Sequence, residues 1–134
     1  MNGLQIPGAR PPVARPLGQP SRDHAIMAAA AHGLSFVEGG LVGPLAVYMI
    51  KKDESAFVAF HALQSLYFGL AFFILSFATC GLGALVLVWP YLFFEAVATL
   101  RAFEGEWYLL PIVGRWALAK HPHPAAARPA PLSR

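Results

Sequence analysis

From Phe57 to Phe94 the chain contains no Asp, Glu, Lys or Arg. About 18 such residues already make a transmembrane candidate, and this stretch is close to twice that. A single straight helix of that length, at about 1.5 Å per residue, would overshoot a hydrocarbon core of roughly 30 Å. The segment must fold back on itself. The spacing predicts a two-helix hairpin, with one helix over 56–79, an uncharged turn at Thr79-Cys80-Gly81-Leu82-Gly83, and a second helix over 84–103 kinked at Pro90. Composition agrees: the chain is 57% hydrophobic and only 13% charged, against roughly 25% charged in a soluble domain. The 134 residues make one domain at most.

The first apolar segment, about His24 to Ile50, is long enough to span but is interrupted by Gly33, by Glu38-Gly39-Gly40 and by Gly43-Pro44. Gly and Pro loosen or break helices. Two half-helices are expected, about 24–36 and 42–51. Broken backbone at membrane depth must be covered by protein or water. Lys51-Lys52-Asp53-Glu54-Ser55 forms a charged loop, with Ser55 placed to cap the next helix. After Phe103, Trp107, Tyr108 and Trp116 prefer the head-group level, so 106–120 reads as a short interfacial segment. The fold class is therefore an all-α membrane protein: a broken first segment, a transmembrane hairpin and an interfacial C-terminal segment. Domain organisation is a Pro-rich basic tail over 1–22, a helical membrane domain over 23–120, and a Pro/Ala-rich tail over 121–134. Both tails are expected to be disordered.

All ten Lys and Arg lie outside the Phe57–Phe94 run, and net charge is +3. No basic stripe sits on a foldable soluble module, which excludes nucleic-acid binding. Anionic lipid head groups explain the charge. The 79–83 turn holds no Lys or Arg, so the 51–55 loop and the C-terminus are expected on the cytoplasmic side of a bacterial inner membrane. For the first segment, its length favours spanning, whereas a re-entrant pair of half-helices puts every Lys and Arg on one side. The single cysteine, Cys80, allows no intrachain disulfide and reads as a small turn residue. No cleavable signal peptide is expected.

Four polar residues fall at comparable membrane depth: His61, Gln64, Glu95 and Thr99. His61 and Gln64, three apart, share a helix face. They either line a path or grip a partner, or they form an interhelical hydrogen bond that sets packing; packing is the commoner role. Glu95 is a functional candidate because intramembrane acids are costly. Its plainer role is a protonated or paired carboxyl bonded to His61, Gln64 or Thr99. His32 follows four alanines and is expected to face another helix. His121 and His123 have no third or fourth ligand nearby, which argues against a metal. No nucleophile–base pair, phosphate loop or cofactor fingerprint occurs.

Several of these motifs resemble a known family. Ala31-His32, Gly43-Pro44, Lys51-Lys52-Asp53-Glu54-Ser55, Phe57-Val58, His61-Ala62-Leu63-Gln64 and Gly105-Glu106-Trp107-Tyr108-Leu109-Leu110-Pro111 resemble small bacterial membrane proteins of unknown function that are related to the chloroplast inner-envelope protein-import component. The resemblance covers about residues 24–118. It departs at Ala59 and Phe60, where the family often carries acidic or polar residues. It implies an integral membrane protein, and its chloroplast relatives imply a link to protein translocation. The expected function is non-enzymatic: a structural, assembly or translocation-accessory role, as a homo-oligomer or a subunit of a membrane complex, without a cofactor. The alternative is a small oligomeric channel or transporter using Glu95, His61 and Gln64.

Overall fold

A computed structural model describes Pro16 and residues 18–127. The parts of the two expected tails at 1–15, 17 and 128–134 lie outside the described residues. Five α-helices follow one another: α1 (Arg22–Glu38), α2 (Val42–Lys51), α3 (Ala56–Ala78), α4 (Leu82–Phe103) and α5 (Val113–Lys120), with a 3-10 turn at Pro124–Ala127. There is no strand among the described residues. Two helices, α3 and α4, are long and apolar enough to cross a membrane.

Local chemistry sets the helix ends. Ser21 Oγ accepts from the His24 N–H at 3.2 Å and Ser55 Oγ from the Val58 N–H at 3.3 Å, each filling an orphan donor of a first turn. Gly39 ends α1 in the left-handed region at φ 86°, with its N–H on the Ser35 carbonyl. α2 begins at Leu41 without a side-chain cap of its own. Instead the Glu38 carboxylate accepts from the Gly43 N–H at 2.6 Å. Its negative charge also faces the positive end of the α2 dipole. Glu38→Ala should therefore cost about 1 kcal/mol, read as a lower midpoint of thermal unfolding in detergent; an unchanged midpoint would remove Glu38 from the account of the break. Pro90 lies inside α4, which continues unbroken through it.

The helices are arranged around α3, in which every residue from Phe57 to Ser65 is buried. α1 runs parallel to α3: His32 meets His61, Ser35 meets Ser65, and Gly40 meets Gly69. At Gly39–Leu41 the chain reverses. α2 then returns antiparallel, with Gly43 against Leu34 and Val47 packed with Ala28, Phe57 and Val58. Both ends of the α1–α2 unit thus lie at the start of α3. α4 runs back beside α1, so that Ala102 joins the same cluster and the Arg22 guanidinium sits 5.6 Å above the Phe103 ring.

The C-terminal segment repeats this in-and-out course on another flank. Residues 104–110 run down α3, with the Glu106 and Tyr108 carbonyls on His61 and Gln64. The reversal comes at Pro111–Ile112, which line one groove with Phe68, Phe72, Tyr91 and Phe94. Ile112 has φ 64° and ψ −62°, and the Val113 N–H bonds the Pro111 carbonyl at 2.7 Å. That is the positive-φ γ-turn, a strained form for a β-branched residue. α5 then climbs back, packing Ala117 on Phe60 and Leu63. Residues 121–127, placed in the tail from sequence, make specific contacts: the Tyr48 hydroxyl bonds His121 Nε2 at 3.1 Å, and the His123 ring stands 4.8 Å from that of Trp107. Trp107 Nε1 in turn donates to the Gly18 carbonyl at 2.8 Å.

Candidate functional site

The centre of the molecule is polar. His32, His61, Gln64, Ser65 and Glu95 are all 0% exposed. Burying such groups is unfavourable unless each finds a partner, and here they partner one another. His32 Nδ1 lies 2.7 Å from Glu95 Oε2, and His32 Nε2 lies 3.1 Å from His61 Nδ1. His61 Nε2 lies 2.9 Å from the Glu106 carbonyl. Ser65 Oγ reaches both Glu95 oxygens at 3.2 and 3.3 Å, and Ser35 Oγ backs Ser65 at 2.8 Å.

The direction of these bonds follows from the partners that have no choice. The Tyr108 carbonyl can only accept and the Leu110 N–H can only donate, so Gln64 turns Nε2 to the first at 2.9 Å and Oε1 to the second at 3.1 Å. The second Nε2 hydrogen faces both His61 Nδ1 at 3.3 Å and His32 Nε2 at 3.5 Å. It is the Glu106 carbonyl, able only to accept at 2.9 Å from His61 Nε2, that fixes the His61 tautomer. His61 therefore carries its proton on Nε2, where it donates to the Glu106 carbonyl. His32 must donate from Nε2 to His61 Nδ1. What remains is a single proton between His32 Nδ1 and Glu95 Oε2. Whether that proton sits on oxygen or nitrogen, the set as a whole is neutral, which suits an apolar surround.

This arrangement differs from the sequence reading in three ways. The Glu95 carboxyl meets His32 and Ser65, not His61, Gln64 or Thr99. Thr99 is outside the network: its hydroxyl donates to the Glu95 backbone carbonyl at 2.7 Å, a bond back along its own helix. His32 is the link that joins Glu95 to His61. The signal for it was the pair His32 and Ser35, three residues apart in an Ala-rich segment, set against His61 and Ser65, four apart and so also on one face of α3.

The remaining singled-out residues have separate places. Glu38, Gly39, Gly40, Gly43 and Pro44 form the α1–α2 reversal. Lys51 pairs with Glu54, Lys52 and Asp53 are exposed, and Ser55 caps α3. Gly105, at φ 81°, turns the chain out of α4, so that Glu106 and Tyr108 can present carbonyls and Pro111 can reach the reversal. Arg101 pairs with the exposed Glu106 carboxylate at 3.0 Å, a surface contact of little energetic weight. His121 and His123 face different partners. Burial, then the neighbouring Lys120 ammonium, lowers the His121 pKa from its ordinary value against an opposing pull from Asp53, which favours the neutral ring beside the Tyr48 hydroxyl. Among the described residues no three His, Cys, Asp or Glu side chains are placed to hold a metal ion.

No solved structure matches the chain. It is 33% identical over 90 residues to a "UPF0132 membrane protein" of Archaeoglobus fulgidus, covering 63% of this chain and 85% of that relative. A family match spans residues 22–117, from the start of α1 into α5, and so takes in the whole buried network. The chain belongs to the magnetosome magnetite crystal formation protein family.

Proposed function

We propose that this protein is a non-enzymatic structural or assembly component of a membrane, working as a homo-oligomer or as a subunit of a larger complex. The observation that carries this reading is the dead end of the buried network. The series runs from Glu95 through His32 and His61 to the Glu106 peptide carbonyl. A peptide carbonyl is far too weak a base to take a proton onward. The network ties α1, α3, α4 and the 104–110 segment together; it does not lead anywhere. The family's description supports placing that role at a membrane where magnetite crystals form, and the archaeal relative's name supports a membrane protein. A translocation-accessory role rests on the chloroplast resemblance alone.

The membrane is the bacterial inner membrane or one derived from it, with the 51–55 loop and Lys120 on the cytoplasmic face and the Cys80 turn opposite. In this topology the α1–α2 unit is re-entrant, and Arg22, Lys51, Lys52, Arg101 and Lys120 contact anionic head groups on one side. Reporters fused after residue 120 and inserted at 53 should both read cytoplasmic; opposite readings would sink the topology. The channel alternative is tested by flux. Vesicles holding the purified protein should leak protons and cations no faster than empty ones, and a flux abolished by Glu95→Gln would overturn the structural reading.

A further inference from the structure

The two reversals lie at the same depth. The α1–α2 reversal rests on Gly69, and the Pro111–Ile112 reversal lies beside Phe68, Phe72 and Tyr91. Up to that level the molecule is five helices thick. Beyond it only the α3–α4 hairpin continues. Between Leu70 and Pro90 the single buried residue is Ser76, while Ile74, Phe77, Leu85, Val86 and Trp89 are exposed. Gly69 is about 20 Å along α3 from Ala56, leaving about 14 Å to Ala78 at 1.5 Å per residue. A spanning hairpin therefore carries both flanks in one leaflet and stands alone in the other.

The flanked half also bears every described cation: Arg22, Lys51, Lys52, Arg101, Arg115 and Lys120. Arg115 is exposed on α5, close to the reversal. An exposed guanidinium needs head groups or water beside it. The C-terminal flank thus displaces acyl chains through the depth of that leaflet, with the Arg115 stem free to carry its charge back toward the head groups. The uncharged, apolar surface of the bare half fits acyl chains as its covering.

We propose that the protein is a leaflet-asymmetric wedge that prefers, and promotes, membrane curved convex toward its charged, flanked face, with the Cys80 turn on the concave side. This rests on the topology proposed above. In a cell with the flanked face cytoplasmic, the favoured shape is an invagination or vesicle whose cytoplasmic leaflet is the larger one.

The test uses the full chain reconstituted into phosphatidylcholine vesicles, which carry no net charge to orient it. Cys80 is the only cysteine and is exposed, so labelling by a membrane-impermeant maleimide before and after detergent lysis reports which way the turn faces. In small sonicated vesicles a severalfold excess of lumen-facing Cys80 is expected. In large extruded vesicles, which are nearly flat on this scale, the two orientations should be close to equal. Insertion with the same orientation ratio in both sizes would overturn the wedge alone, including the case where a second copy packs against the bare half and evens out the leaflets. Failure of the hairpin to insert would overturn the topology and the wedge together.

Discussion

Glu95→Gln is expected to unfold at nearly the wild-type midpoint, while Glu95→Leu loses about 2 kcal/mol, the cost of leaving a buried imidazole nitrogen without its partner. The carboxamide can donate from Nε2 to His32 Nδ1 and accept the Ser65 hydroxyl on Oε1, so it reproduces both bonds that the carboxyl makes. Leucine reproduces neither. Single interhelical hydrogen bonds in membranes average only about 0.6 kcal/mol, because separated helices find other partners. Here His32 is fully enclosed and nothing else reaches its Nδ1. Reversible unfolding in mixed micelles, followed by circular dichroism, separates the two variants. If glutamine proved as damaging as leucine, the pair would have to be ionic, with the proton resident on His32. If leucine proved harmless, the network would contribute nothing to stability.

Gly69→Val is expected to be the more severe change, costing about 3 kcal/mol as an overpacked contact that cannot relax through a rotamer. A Cβ at Gly69 would lie 2.3 Å from the Gly40 carbonyl oxygen and 2.8 Å from its carbonyl carbon. Both are backbone atoms of the α1–α2 reversal, and Gly40 is itself held at φ 92° under the Tyr91 hydroxyl. The reversal must lift off α3. Gly33→Ala is the internal control: nothing lies within 4 Å of its Cβ, and it sits in helical backbone. Alanine there should stabilise by up to about 1 kcal/mol. Protease sensitivity of the 39–41 segment in detergent would report the lifted reversal directly. Unchanged sensitivity and stability in Gly69→Val would show that the two glycines do not support one another as described.

Helical class and the two long apolar helices were legible because one uncharged run leaves few alternatives. The Ser55 cap was legible because an N-cap acts over three residues. Placing His61 and Gln64 on one face needed only helical spacing. The pairing of Glu95 was not legible. Which face of α1 meets α4 is settled by packing between residues 63 apart, and an alanine-rich helix carries little signal of its preferred side. Thr99 was misassigned for the opposite reason: its hydroxyl is satisfied locally, four residues back, before any neighbour competes for it. The course of 104–112 also escaped local reading. Its carbonyls are bound by side chains on α3, whereas its sequence, rich in Trp and Tyr, speaks only of an interface.

His32 and Glu95 are 63 residues apart in the chain. At a synthesis rate of 5–20 residues per second, His32 waits roughly 3–13 s for its partner to be made. During that interval α1 and α2 are complete, but the reversal at Gly40 has no α4 beside it and the imidazole has no carboxyl. The early hairpin is therefore a poor candidate for settling into lipid by itself. Biogenesis has to keep it at the protein-conducting site or at the water interface until the fourth helix emerges, so a chain stalled before residue 95 should remain extractable by alkali while the finished one does not.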